Sequence, residues 1–164
     1  MNEVILVKQI FISFILGGLI GLEREYHGNS AGIRTYAAIA VGACLFGILS
    51  THVATTVFFK NIIHDAKEYK SVVDPSRIAA QIVSGIGFIG GGVIFKSGKF
   101  TRGLTTAATI WVTAAIGLSV AFELLLVPIA TTLLVIFILW LNHFKFWINL
   151  KKRCEYKGIN DTEQ

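Results

Sequence analysis

Apolar residues gather into five long runs along this chain, at positions 5–22, 36–58, 78–95, 103–122 and 124–142, with short polar stretches between them. Each run has about the length needed to cross a hydrocarbon core of about 30 Å at a rise of 1.5 Å per residue. The runs are continuous rather than alternating, which argues for helices and against a β-barrel. The pattern predicts an all-α fold, a polytopic transmembrane helical bundle of five spans. It places a five-helix transmembrane domain over residues 1–142 and a cytoplasmic, juxtamembrane basic tail over 143–164.

Small residues recur inside these runs at helical spacing. Gly17 and Gly21 form a GxxxG pair in the first, and Ala38 with Gly42 and Ala43 with Gly47 repeat the spacing in the second. Such pairs let two helix backbones approach closely in lipid. The third run holds five glycines in the eight residues from Gly85 to Gly92. Each weakens a helix by up to about 1 kcal/mol relative to Ala. Two readings stay open: tight packing through Gly87 and Gly91, or a broken helix whose freed backbone groups line a polar cavity. The fourth run carries Thr105, Thr109 and Thr113 four apart, continued by Gly117 and Ala121. Threonines in lipid bond their own helix backbone, so this stripe reads as packing. Trp111 lies near mid-span and is expected to face the bundle interior, where its indole N–H finds an acceptor. The fifth run is the most lipid-like, with Trp140, Phe144 and Trp147 at its interface.

Composition fits this picture. Hydrophobic residues make up 54% of the chain and charged residues 15%, against about 25% charge in a soluble domain. The net charge of +5 does not point to nucleic acid, because the basic residues sit in loops and in the tail, as orientation signals do. Ten of the 15 Lys and Arg fall on the side that includes the C-terminus: Arg24, Arg34, Lys96, Lys99, Arg102, Lys145, Lys151, Lys152, Arg153 and Lys157. That places the N-terminus outside and the C-terminus in the cytoplasm. Residues 23–25 stand where a signal peptide would need small residues for cleavage, so the first helix is expected to stay as an anchor. Cys44 and Cys154 lie too differently for a structural disulfide to be expected.

Enzyme signatures are missing: there is no HExxH, no phosphate-binding glycine loop with its Lys, and no GxSxG. His27, His52, His64 and His143 lack metal-ligand spacing. No enzymatic activity and no cofactor are expected. The candidate chemistry is charge at helix ends, which is costly near hydrocarbon and tends to be functional. Glu23, Arg24 and Glu25 close the first span and Arg34 opens the second. An ion pair of Arg34 with Glu23 or Glu25 explains them simply. The alternative is that Glu23 and Glu25 bind a hard cation such as Mg²⁺, which keeps much of its hydration. At the other end, Asp74 and Pro75 read as a helix start. Asp74, Arg77, Gln81 and Ser84 then share one helix side and enter the membrane from outside.

Four stretches resemble the MgtC/SapB family of bacterial inner-membrane proteins: residues 18–25 (GLIGLERE), 32–36 (GIRTY), 74–94 (DPSRIAAQIVSGIGFIGGGVI) and 102–115 (RGLTTAATIWVTAA). The resemblance covers roughly residues 10–122. It implies a five-helix inner-membrane domain and adaptation to low Mg²⁺. In some members it also implies survival inside host cells or an effect on the proton-driven ATP synthase. Carried over by position, the family's polar residues are Glu23, Arg24, Glu25, Arg34, Thr35, Asp74, Arg77, Gln81, Arg102 and Thr106. Three departures stand out. The ACT-type C-terminal domain of the best-known members is expected to be missing. Thr105 and Val112 occupy positions that are Asn and Cys in some members. Gly90-Gly91-Gly92 stands where Gly-Ala-Gly is common.

Two functions follow as expectations. The first is a non-enzymatic regulator that acts through membrane-protein partners or its own oligomer. The second is a transporter or channel for Mg²⁺ or protons.

Overall fold

A computed structural model describes residues 3–63, 74, 76–97 and 100–141. The elements are α1 (Glu3–Tyr26), α2 (Ile33–Ile63), α3 (Ser76–Gly92), β1 (Phe95–Ser97), β2 (Phe100–Arg102), α4 (Leu104–Ala121) and α5 (Leu126–Leu141). Residues 64–73, Pro75, Lys99, and the tail with His143, Phe144, Trp147 and Cys154 lie outside the described residues. The chain falls into two units, Met1–Thr132 and Leu133–Gln164, and the packing below is within the first.

Three helices are long and apolar enough to cross a membrane: α1, α2 over Ile33–Thr56, and α4. The sequence pattern predicts five spans, but α3 has 17 residues and α5 has 16. The shortening has local causes. Val93, Ile94 and Phe95 extend the third apolar run, yet they leave the helix for a turn and a strand. Leu124 and Leu125 belong to the α4–α5 connection. Nor is α3 broken: it runs unbroken from Ser76 to Gly92.

α1 ends in a left-handed Gly28 (φ 68°). The Gly28 N–H donates to the Glu25 carbonyl and the Asn29 N–H to the Arg24 carbonyl, both at 3.0 Å. This is the Schellman closure, which satisfies carbonyls left over at a helix end. α4 ends in the same way, with the N–H groups of Glu123 and Leu124 donating to Val120 and Ser119. There the left-handed position is held by Glu123 (φ 61°) rather than by glycine.

The core is the meeting of α1, α2 and α4. α1 runs antiparallel to α2. A Cβ at Gly17 would lie 2.6 Å from the Ala40 Cβ, and one at Gly21 would lie 2.6 Å from the Ile33 Cα. α4 runs parallel to α2. Its Gly117 presses on the Ala40 backbone, where an added Cβ would come within 2.9 Å of the carbonyl carbon. Ala40 is thus fully buried between a glycine of α1 and a glycine of α4. In lipid no hydrophobic effect drives helices together, so this close approach contributes through dispersion. Two turns further along, Gly47 meets Ala121 and Leu118.

α3 packs mainly on α4 and less on α2. Only Ile86 and Gly90 of its residues are buried. Gly90 meets Ala107 at an ordinary 3.6 Å. A Cβ at Gly87 or Gly91 would have nothing within 4 Å. Trp111, expected inside the bundle, is 48% exposed and lines a crevice beside Ile82, Val83 and Ile86. Its place on α4 is on the side that the sparsely packed α3 leaves partly open.

Between α3 and α4 the basic stretch forms a hairpin rather than a loop. β1 and β2 pair antiparallel, with Phe95 opposite Arg102, Lys96 opposite Thr101 and Ser97 opposite Phe100.

Candidate functional site

The C-terminus of α1 and the N-termini of α2 and α4 come together at one end of the bundle. There the structure assembles a polar cluster of Glu23, Arg24, His27, Asn29, Tyr36, Thr106 and Thr109.

Arg24 is its buried charge, 8% exposed. Its Nη2 donates to Asn29 Oδ1, and Asn29 Nδ2 donates back to the Arg24 carbonyl at 3.0 Å. Asn29 therefore clasps Arg24 at both ends, and the Schellman turn holds Asn29 in place. Arg24 Nη1 lies 3.8 Å from Glu23 Oε2, and Glu23 Oε1 lies 3.0 Å from His27 Nδ1. A cation at the carbonyl end of α1 is favoured by the helix dipole. Arg24 Nε and Glu23 Oε2 are buried without a hydrogen-bond partner, which is costly for charged groups.

Tyr36 carries the cluster into the helix core. It is fully buried, and its hydroxyl lies 2.5 Å from Thr109 Oγ1 and 3.5 Å from the Thr106 carbonyl. The Thr stripe bonds its own helix: Thr109 Oγ1 donates to the Thr105 carbonyl at 2.9 Å and Thr113 Oγ1 to the Thr109 carbonyl at 2.8 Å. Thr109 therefore serves both its helix and Tyr36.

Glu25 does separate work. Its Oε2 accepts the Ile33 N–H at 2.9 Å, capping the start of α2 with a carboxylate where the helix dipole favours one. Gly32 leaves the space, since a Cβ there would lie 3.0 Å from the Glu25 carboxyl carbon.

The expected pairing of Arg34 with Glu23 or Glu25 does not form. Among the described residues the ion pairs are Arg24 with Glu23 and His27 with Glu23, and Arg34 is exposed. Glu23 and Glu25 stand two residues apart on a helix, about 200° around its axis, and turn to different partners. Among the described residues no three of His, Cys, Asp and Glu gather to hold a metal ion.

The remaining polar candidates divide by place. Thr106 is buried in the cluster, while Thr35 and Arg102 are exposed at the same end. Asp74, Arg77 and Gln81 lie at the other end of the bundle, all exposed. Asp74 Oδ1 accepts the Ser76 N–H at 2.8 Å and the Ser76 hydroxyl at 2.7 Å. These bonds, with Arg77 nearby, hold its carboxyl below the ordinary 3.8. Gln81 lines a crevice of about 530 Å³ between α2 and α3, walled by Gly42, Phe46, Gly85 and Ile89. Also at that end, Gln9 is buried and donates to the Ala121 carbonyl at 3.5 Å.

Sequence reading singled out neither Tyr36 nor Asn29. A Tyr at the edge of an apolar run reads as an interfacial aromatic, and Asn29 reads as an ordinary turn residue. The signal for Tyr36 was a hydroxyl and a Thr stripe in two runs that each needed partners.

Comparison with known proteins adds a family. The MgtC family model matches residues 10–145. The protein MgtC of Brucella abortus (strain 2308) is 48% identical over 105 residues, which is 64% of this chain and 37% of that protein. The "Putative magnesium transporter YhiD" of Escherichia coli (strain K12) is 41% identical over 133 residues, 79% of this chain and 58% of that one. A Haemophilus influenzae protein is 34% identical over 169 residues, 99% of this chain and 68% of its own length. The chain thus spans less than two thirds of the Brucella and Escherichia relatives. No solved structure matches.

Proposed function

Since this chain belongs to the MgtC family, we propose that it is a multi-pass inner-membrane protein, five spans with the C-terminus cytoplasmic, that acts as a non-enzymatic regulator in adaptation to low Mg²⁺ or other stress. It acts through contacts with membrane partners. In this reading α3 and α5 complete the spans by local thinning of the bilayer and by snorkelling of flanking side chains, as short helices do.

One observation carries the regulatory reading: α3 offers an unsatisfied helix face. Phe88 is 87% exposed, and Ile89 is also exposed. In lipid those side chains alone mean little. Gln81, however, is exposed on the same helix and has no hydrogen bond among the described residues. It lies about 7.5 Å along the axis from Ser76, at 1.5 Å per residue. A polar amide at that depth is stabilised by a partner on another helix. Gly85, one turn on along the same face, has nothing within 4 Å of an added Cβ and lets such a helix come close.

The test is photocrosslinking in living cells under low Mg²⁺, with benzoylphenylalanine at Phe88 and, as an interior control, at Thr113. A specific membrane-protein adduct from position 88, identified by mass spectrometry and lost on Gln81→Ala, supports the reading. Adducts to lipid alone contradict it.

The second reading, a Mg²⁺ or proton transporter, is favoured by the name of the Escherichia relative and by the place of Gln81 in the α2–α3 crevice.

A further inference from the structure

The hairpin between α3 and α4 presents an unusual surface for so small an element. All its described side chains are exposed, yet two are aromatic: Phe95 is 55% exposed and Phe100 is 72% exposed. Side chains alternate between the two faces of a strand, and cross-strand partners share a face. The register therefore puts Phe95, Phe100 and Arg102 on one face, with Lys96 and Thr101 on the other. The described residues include two cations and no acidic group.

The base of the hairpin is fixed. The Val93 and Ile94 N–H groups donate to the Gly90 and Gly91 carbonyls at 3.3 and 3.2 Å, tying β1 to the last turn of α3. Gly103 turns the chain in the left-handed region (φ 88°) against Val93, where an added Cβ would come within 2.9 Å of the carbonyl carbon. Arg102 is then two residues from Leu104, the first residue of a helix long and apolar enough to span a membrane. Leu104, also exposed, continues the apolar surface. Three residues per strand reach about 10 Å, while a headgroup layer is about 5–8 Å thick on each side of the hydrocarbon. The hairpin cannot leave the bilayer surface by much.

We propose that the β1–β2 hairpin is a membrane-surface anchor: Phe95 and Phe100 enter the boundary between headgroups and acyl chains, and Arg102 and Lys96 bind the phosphates of anionic lipid headgroups. Aromatic and basic side chains together form the composition of interfacial segments. A guanidinium takes a phosphate through a planar fork of donors, and Lys reaches it as a point charge on a long apolar stem. The inference rests on the membrane reading above, and its test separates the two.

The experiment places the full chain in vesicles of phosphatidylcholine alone or mixed with phosphatidylglycerol, with bromine atoms near the top of the acyl chains. One variant carries Phe100→Trp with Trp111→Phe, Trp140→Phe and Trp147→Phe. A second keeps Trp111 and replaces the other two tryptophans by Phe. The anchor predicts blue-shifted emission from the residue-100 probe, quenched by bromine, and more strongly quenched when phosphatidylglycerol is present. Lys96→Gln and Arg102→Gln should each lower the preference for anionic lipid by about fivefold. Quenching of Trp111 beside an unquenched, water-like residue-100 probe overturns the anchor alone. Quenching at residue 100 that is equal in both lipids overturns the headgroup assignment. Failure of Trp111, which lies near mid-span, to be quenched in a parallel set of vesicles brominated near the ends of the acyl chains overturns the membrane reading and the anchor with it.

Discussion

The hydroxyl of Tyr36 lies 2.5 Å from that of Thr109, joining two residues 73 positions apart in sequence. This contact closes the polar cluster at one end of the bundle against the dry core formed by Gly17, Ala40 and Gly117. It also makes α2 and α4 one unit at the point where the Arg24 charge is buried. Tyr36→Phe removes the hydroxyl and keeps the ring, and Thr109 stays bonded to its own helix. The expected loss is about 1 kcal/mol, in the range measured for bonds between membrane helices. Tyr36→Ala also empties the ring site and should cost about 3–5 kcal/mol. Reversible unfolding in mixed detergent measures both, and equal losses would contradict the assignment.

Gly17 and Gly87 look alike in the sequence but should respond in opposite ways. Gly17→Ala puts a methyl 2.6 Å from the Ala40 Cβ and 2.7 Å from the Tyr36 carbonyl oxygen, so a backbone must shift. A cost of about 1–3 kcal/mol is expected. Gly87→Ala meets nothing within 4 Å and should gain up to about 1 kcal/mol from helix propensity. The same unfolding assay reads both.

Glu123 holds a left-handed position that closes α4. A side chain there is strained, and glycine is the usual occupant. Glu123→Gly should therefore raise stability by about 0.5–1 kcal/mol, and Glu123→Val should lower it. A rise in thermal midpoint for the first and a fall for the second checks the cap.

Asp74 predicts a pH dependence. Its carboxyl is held below its ordinary value by the Ser76 bonds and by Arg77, so the folded form binds a proton less readily than the unfolded form does. The cap's stabilisation is full above the ordinary 3.8 and fades as pH falls through the lowered value. Asp74→Ala should be less stable than the parent near pH 6, and the gap should narrow as pH falls below 4. A gap that widens with acid would contradict the cap.

Much of this architecture is readable from spacing alone. The four-residue step from Gly17 to Gly21 marks a close helix contact, and the Thr105–Thr109–Thr113 step marks threonines that bond their own helix. Both are short-range patterns on one helix face. The partner surfaces are not readable in this way, because Ala40 and Gly117 meet only through tertiary packing. Glu25 and Arg34 show why charge is harder to place. Opposite signs across a short loop suggest an ion pair, but the free Ile33 N–H at a helix start is a nearer claim on the carboxylate. The hairpin was hidden because three-residue strands carry almost no periodic signal and Lys disfavours strands. Trp111 misleads because mid-span aromatics usually face inward, whereas α3 covers too little of α4 to enclose it.

The central claim, regulation by membrane contact rather than transport, is tested most directly by Mg²⁺ and proton flux in proteoliposomes holding only this protein, with Asp74→Asn and Arg34→Ala alongside. The account predicts flux no greater than that of empty liposomes, from protein shown by circular dichroism to be folded and by protease protection to be inserted. Flux above that level, lost in either variant, would contradict it and establish a transporter.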